Sequence, residues 1–92
     1  MTRDEKIARA RRAAEILEDP LVVEVLAGYT ERLLTAWRNT PPVGGTDKRE
    51  ALWYALKAAE GFQADLRAIV DEGKLAEAQI AAERDQDAVT SG

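Results

Sequence analysis

Apolar residues recur along this chain at intervals of three and four, and no stretch alternates with a period of two, so the pattern predicts helices throughout. A first helix is expected over residues 2–19, with a thin stripe of Ile7, Ala10, Ala14 and Leu17. Thr2 and Glu5 have the spacing of a capping box, in which each side chain satisfies a free backbone N–H of the other. A second helix is expected over 20–38, opened by Asp19 as N-cap with Pro20 at the first helical position. Its face of Val22, Val25, Leu26, Tyr29, Leu33, Ala36 and Trp37 is widened by Leu21, Val23 and Leu34. That face covers about 180° of the wheel, more than a single neighbouring helix buries.

The segment Thr40-Pro41-Pro42-Val43-Gly44-Gly45-Thr46 combines fixed-φ and φ-permissive residues and reads as a loop. After it, Asp47 and Glu50 offer a second capping box for a third helix over 47–72. Leu52, Leu56, Ala59, Phe62, Leu66, Ile69 and Val70 share one side of that helix. At 1.5 Å per residue it is about 39 Å long against about 28 Å for the second, and the first helix is placed to cover the overhang. Gly61 falls in mid-helix, either to admit another helix closely or as a tolerated defect. Gly73 reads as the C′ residue that ends the helix, with 74–84 a kinked continuation or a short fourth segment. Residues 85–92 have little to bury and are expected to be a disordered tail. The expected architecture is therefore all-α. It is a long antiparallel helical hairpin with a short N-terminal helix in one domain of residues 1–84, completed by oligomerisation.

Composition narrows the chemistry. The 92 residues are 46% hydrophobic and 33% charged, which suits one folded domain and not a disordered chain. There is no His and no Cys, and the single Ser is Ser91. Imidazole catalysis, thiol nucleophiles, disulfides, Cys/His zinc sites and a Ser-His-Asp triad are thereby excluded. The carboxylates lack the pairing that acid–base work needs: Asp71 and Glu72 diverge as helical neighbours. Glu60 with Asp65, and Glu77 with Glu83, miss the i, i+3 and i, i+4 spacings. Gly44-Gly45-Thr46 lacks the lysine of a phosphate loop. No catalytic residue, cofactor site or metal site is expected.

Charge is unevenly distributed. Residues 1–12 carry Arg3, Lys6, Arg9, Arg11 and Arg12 against Asp4 and Glu5. Residues 60–92 carry eight acidic side chains against three basic ones, and the whole chain has a net charge of −4. An acidic chain is a poor general binder of nucleic acid, which requires a cationic surface. No apolar run has the length of a signal peptide or a membrane span, so no membrane association is expected and the cytoplasm of the producing cell is the expected compartment.

The over-wide second helix calls for a further apolar partner, and Trp53 and Tyr54, on opposite flanks of the third helix, fall outside its main face. The candidate interaction residues are therefore Tyr29, Trp37, Trp53, Tyr54 and Phe62, and the first expected partner is a second copy of the chain. Arg38, Lys48 and Arg49 bracket the loop and are candidates for a small anion-attracting cluster beside the start of the third helix.

Four segments carry a resemblance: Ile16-Leu17-Glu18-Asp19-Pro20-Leu21, Ala36-Trp37-Arg38-Asn39-Thr40-Pro41, Arg49-Glu50-Ala51-Leu52-Trp53, and Ile69-Val70-Asp71-Glu72-Gly73-Lys74-Leu75-Ala76. Their succession, over about residues 10–78, resembles short helical proteins encoded in tailed bacteriophages and prophages. The resemblance implies a small phage protein from among head and packaging genes, and it brings no catalytic residues with it. The expected function is a non-enzymatic phage protein that self-associates through helices in virion assembly or as a virion component, with phage structural proteins as partners. The alternative is an inhibitor of host defence. It would bind a host defence protein through its acidic surface, or sequester a signalling nucleotide as an oligomer.

Overall fold

The computed structural model describes the backbone of residues 1–91 and the side chains of residues 1–87. It is all-helical: α1 is Arg3–Glu18, α2 is Pro20–Arg38 and α3 is Thr46–Ser91, and no strand occurs among the described residues. The helices are organised as two compact units. One comprises Met1–Ile16 and α3 from Leu66 onward, and the other comprises Leu17–Asp65.

Local chemistry sets the helix ends. Thr2 caps α1: its Oγ1 accepts from the backbone N–H of Glu5 at 3.1 Å and its carbonyl from that of Lys6 at 3.0 Å. Asp19 separates α1 from α2 with extended backbone at ψ 121°. Its Oδ1 accepts from the N–H groups of Leu21 at 2.9 Å and Val22 at 3.1 Å, and Pro20, which has no N–H to satisfy, takes the first helical position. Replacing Asp19 by alanine removes the one oxygen that accepts both bonds. The expected loss is about 1 kcal/mol, measured by chemical denaturation.

Helix α3 begins at Thr46, one residue before the expected Asp47. Gly45 supplies the capping carbonyl to the Arg49 N–H at 2.9 Å, so Asp47 acts as a first-turn acid beside the helix dipole instead of as the cap. The helix then runs without a break through Gly73, and the separate segment at 74–84 is part of it. The expected tail from residue 85 continues as helix to Ser91, and Gly92 lies outside the described residues. Low apolar content limits burial, but Arg84-Asp85-Gln86-Asp87 contains no helix breaker.

Gly73 has a tertiary role. In the first unit it is buried against α1, where an added Cβ would collide with the Cβ of Ala10 and lie 3.2 Å from the carbonyl oxygen of Lys6. Among the described residues the buried hydrophobics are Ala10, Ala13 and Ala76, the last at 2% exposure, so this interface is built from groups no larger than a methyl. Contacts pair ascending positions of α1 with descending positions of α3: Arg3 with Glu83 at 2.6 Å, then Ala10 with Gly73. The expected stripe on α1 turns inward, with Ala10 buried and Ile7, Ala14 and Leu17 half-buried, and it is widened by the buried Ala13. Gly61 differs from Gly73, because a Cβ there meets nothing within 4 Å. No other helix packs closely on it. Gly61→Ala is expected to stabilise by up to about 1 kcal/mol through helix propensity, read as a rise in denaturation midpoint.

In the second unit the interior is loosely filled. Val22, Leu26, Thr30, Leu33 and Trp37 of α2 and Leu52, Ala55, Leu56 and Ala59 of α3 are half-buried, and none is fully enclosed. Leu21 at 65% exposure, together with Val23, Val25, Tyr29 and Phe62, remains open to solvent.

Candidate functional site

The loop of residues 39–45 closes on a compact polar knot. Thr40, 5% exposed, donates its hydroxyl to the Ala36 carbonyl at 2.6 Å and its N–H to the Trp37 carbonyl at 3.2 Å. These are carbonyls that the end of a helix leaves without intrahelical partners. Arg49 reaches back from the first turn of α3 and completes the arrangement. Its Nη1 donates to the Trp37 carbonyl at 3.2 Å and the Thr40 carbonyl at 2.9 Å. Its guanidinium carbon lies 4.1 Å from the centroid of the Trp37 ring, a cation–π contact. The loop also bends at Gly44, whose φ of 81° is the one positive value among the described residues.

Trp37 and Arg49 of this knot also line a cleft of about 480 Å³, together with Pro42, Thr46, Glu50, Trp53 and Tyr54. Trp53 and Tyr54 meet edge to face, with centroids 5.1 Å apart and planes at 75°. They leave α3 in different directions, yet their rings meet. Neighbouring residues diverge by 100° at the backbone, but these long side chains converge at their rings. The Lys57 ammonium lies 5.6 Å from the Trp53 centroid and pairs with Glu60 at 3.2 Å. The cleft offers aromatic faces and edges for apolar or planar groups, with the Glu50 carboxylate at its side.

Of the residues singled out from the sequence, the cleft brings together Trp37, Trp53, Tyr54 and Arg49. Tyr29 and Phe62 lie apart from it, 40% and 52% exposed. Arg38 is exposed. Lys48 is also exposed and lines a separate shallow depression with Gly44, Gly45, Thr46 and Asp47. Arg49 is thus directed at backbone carbonyls and an indole ring, away from any grouping with Arg38 and Lys48. Thr40 and Pro42 are parts of the site that the sequence does not single out; the signal available for Thr40 is a hydroxyl immediately after the end of a helix.

Elsewhere, the first unit has a groove of about 340 Å³ lined by Ala8, Arg9, Arg12, Ala13, Ile16, Leu66 and Ile69. Among the described residues there is no group of three or more carboxylates placed to hold a metal, and no helix is long and apolar enough to cross a membrane. Comparison of the chain with protein-family models, curated proteins and solved structures gives no match.

Proposed function

We propose that this chain is a non-enzymatic interaction protein that self-associates through its helices and acts in the assembly of a tailed-phage particle or as one of its components. The observation that supports it is the poverty of the interior. Among the described residues the buried hydrophobics are three alanines, while Leu21, Val23, Val25, Tyr29, Trp53, Tyr54, Phe62 and Leu75 are exposed. Full burial of a Val, Leu or Phe side chain contributes about 1.5–3 kcal/mol, and this chain leaves much of that contribution unused. In this reading α2 and α3 form an antiparallel hairpin, and a second copy supplies packing that the single chain lacks. The phage context comes from the sequence resemblance.

Native mass spectrometry at several concentrations, with and without particles from a phage-producing lysate, tests the proposal. A closed oligomer that copurifies with particles is the expected result; a monomer absent from them overturns it. The exposure of Asp71, Glu72, Glu77, Glu83 and Asp85 favours a second reading, in which the acidic helix occupies a cationic channel of a host defence protein. Capture of one host protein by a monomer is the signature of that reading, and a retained nucleotide mass the signature of a nucleotide sponge.

A further inference from the structure

The groove of the first unit joins an apolar floor to a basic rim. Its floor is apolar, built from Ala13, Ile16, Leu66 and Ile69, and its α1 rim carries Arg9 and Arg12. On α3, Glu72 lies three residues beyond Ile69 and so on the same side of the helix. All three rim residues are exposed. The ion pairs among the described residues, Arg3 with Glu83 and Lys57 with Glu60, leave Arg9, Arg12 and Glu72 without an oppositely charged partner. Arg9 has only the Met1 sulfur, at 3.1 Å.

We infer that this groove is the self-association surface and that its occupant is the same groove of a second copy, related by a twofold axis parallel to α1. The inference rests on the self-association proposed above and assigns it a face. The charges select the axis. A twofold axis perpendicular to the helices that stacks α1 on α1 would bring Arg9 and Arg12 against the same residues of the partner, and like charges oppose such contact. A parallel axis sets α1 beside the partner's α3 and keeps every residue at its own level. Because Ala10 sits on Gly73, Arg9 and Arg12 are within about one helical turn of the level of Glu72. Each copy's arginine rim then meets the partner's Glu72, so the dimer has two such contacts, one on each side of the axis. Ile16, at 37% exposure, packs on the partner's Leu66 and Ile69. The contact is isologous and closed, as in most soluble homodimers.

Two charge-reversed chains test the assignment, read by sedimentation equilibrium with circular dichroism to verify helix content. One carries Arg9→Glu with Arg12→Glu, and the other Glu72→Arg. All three positions are exposed, so each chain is expected to keep its helices and to self-associate at least about tenfold more weakly than the parent. Mixed together, the two chains regain both favourable rims and form a one-to-one dimer at least as tight as the parent. A mixture that stays dissociated means that the charges act within one chain, and this overturns the assignment. Should both variants assemble like a self-associating parent, the groove is not the surface, although self-association stands. A parent chain that is monomeric throughout removes both proposals, and a monomer carrying a bound anionic amphiphile assigns the groove to that ligand. If a reversal lowers helicity, Arg9→Gln with Arg12→Gln gives the same direction of change without repulsion.

Discussion

Leucine at position 73 is expected to dislodge α1 from α3, and alanine there to lower stability even though alanine is the better helix former. The substituted Cβ meets the Cβ of Ala10, which is attached directly to the α1 backbone, so no rotamer change relieves the collision and the helix itself must move. Overpacking of this kind costs about 1–3 kcal/mol, against at most about 1 kcal/mol returned by helix propensity. Gly73→Ala should therefore lower the denaturation midpoint while Gly61→Ala raises it, two identical exchanges in one helix with opposite signs. Hydrogen exchange locates the effect: the α1 amides should lose protection in Gly73→Leu while those of α2 keep theirs. Equal gains from alanine at both positions would show that α1 does not pack where Ala10 and Gly73 place it.

The other large effect is expected at Arg49. Truncation to alanine removes two hydrogen bonds from a charged donor to the Trp37 and Thr40 carbonyls, together with the stack on the indole. These carbonyls lie in a part-buried site, and the combined loss is expected to be about 2 kcal/mol. Lysine is a poor substitute, since an ammonium has no flat face to stack on the Trp37 ring while one of its nitrogens donates to both carbonyls. Arg49→Lys should recover less than half of the loss in urea denaturation. A shift of tryptophan emission to longer wavelength in both variants would report the exposure of Trp37. A variant as stable as the parent would mean that the knot contributes nothing to loop closure.

These two residues also mark where the sequence is legible and where it is not. The limits of α2 are readable because they depend on neighbours in the chain: the Asp19 carboxylate and Pro20 act within one turn of their own position. Gly73 is opaque for the opposite reason. Read locally it ends a helix, but its function is to admit Ala10, more than sixty positions earlier in the chain. The break expected there is absent because the flanking residues on both sides favour helix and α1 covers the site. Arg49 is similar. Its nearness to Arg38 and Lys48 along the chain suggests shared charge, but once the loop closes, unpartnered carbonyls at the end of α2 are closer and better-placed acceptors. Tyr29, Trp37, Trp53, Tyr54 and Phe62 stand out in the sequence by their type and spacing. Their division between the cleft and the separate positions of Tyr29 and Phe62 depends on packing that periodicity does not encode.

Among the described residues the buried hydrophobics are three alanines, and we propose that the chain completes its packing with another copy. The dependence of thermal stability on protein concentration tests it most directly, because association stabilises the folded state by mass action. Over about a hundredfold range of concentration, Tm is predicted to rise by several degrees, with a single cooperative transition at each point. A Tm that does not move with concentration, together with a sedimentation mass equal to that of one chain, would show that the chain folds and persists as a monomer.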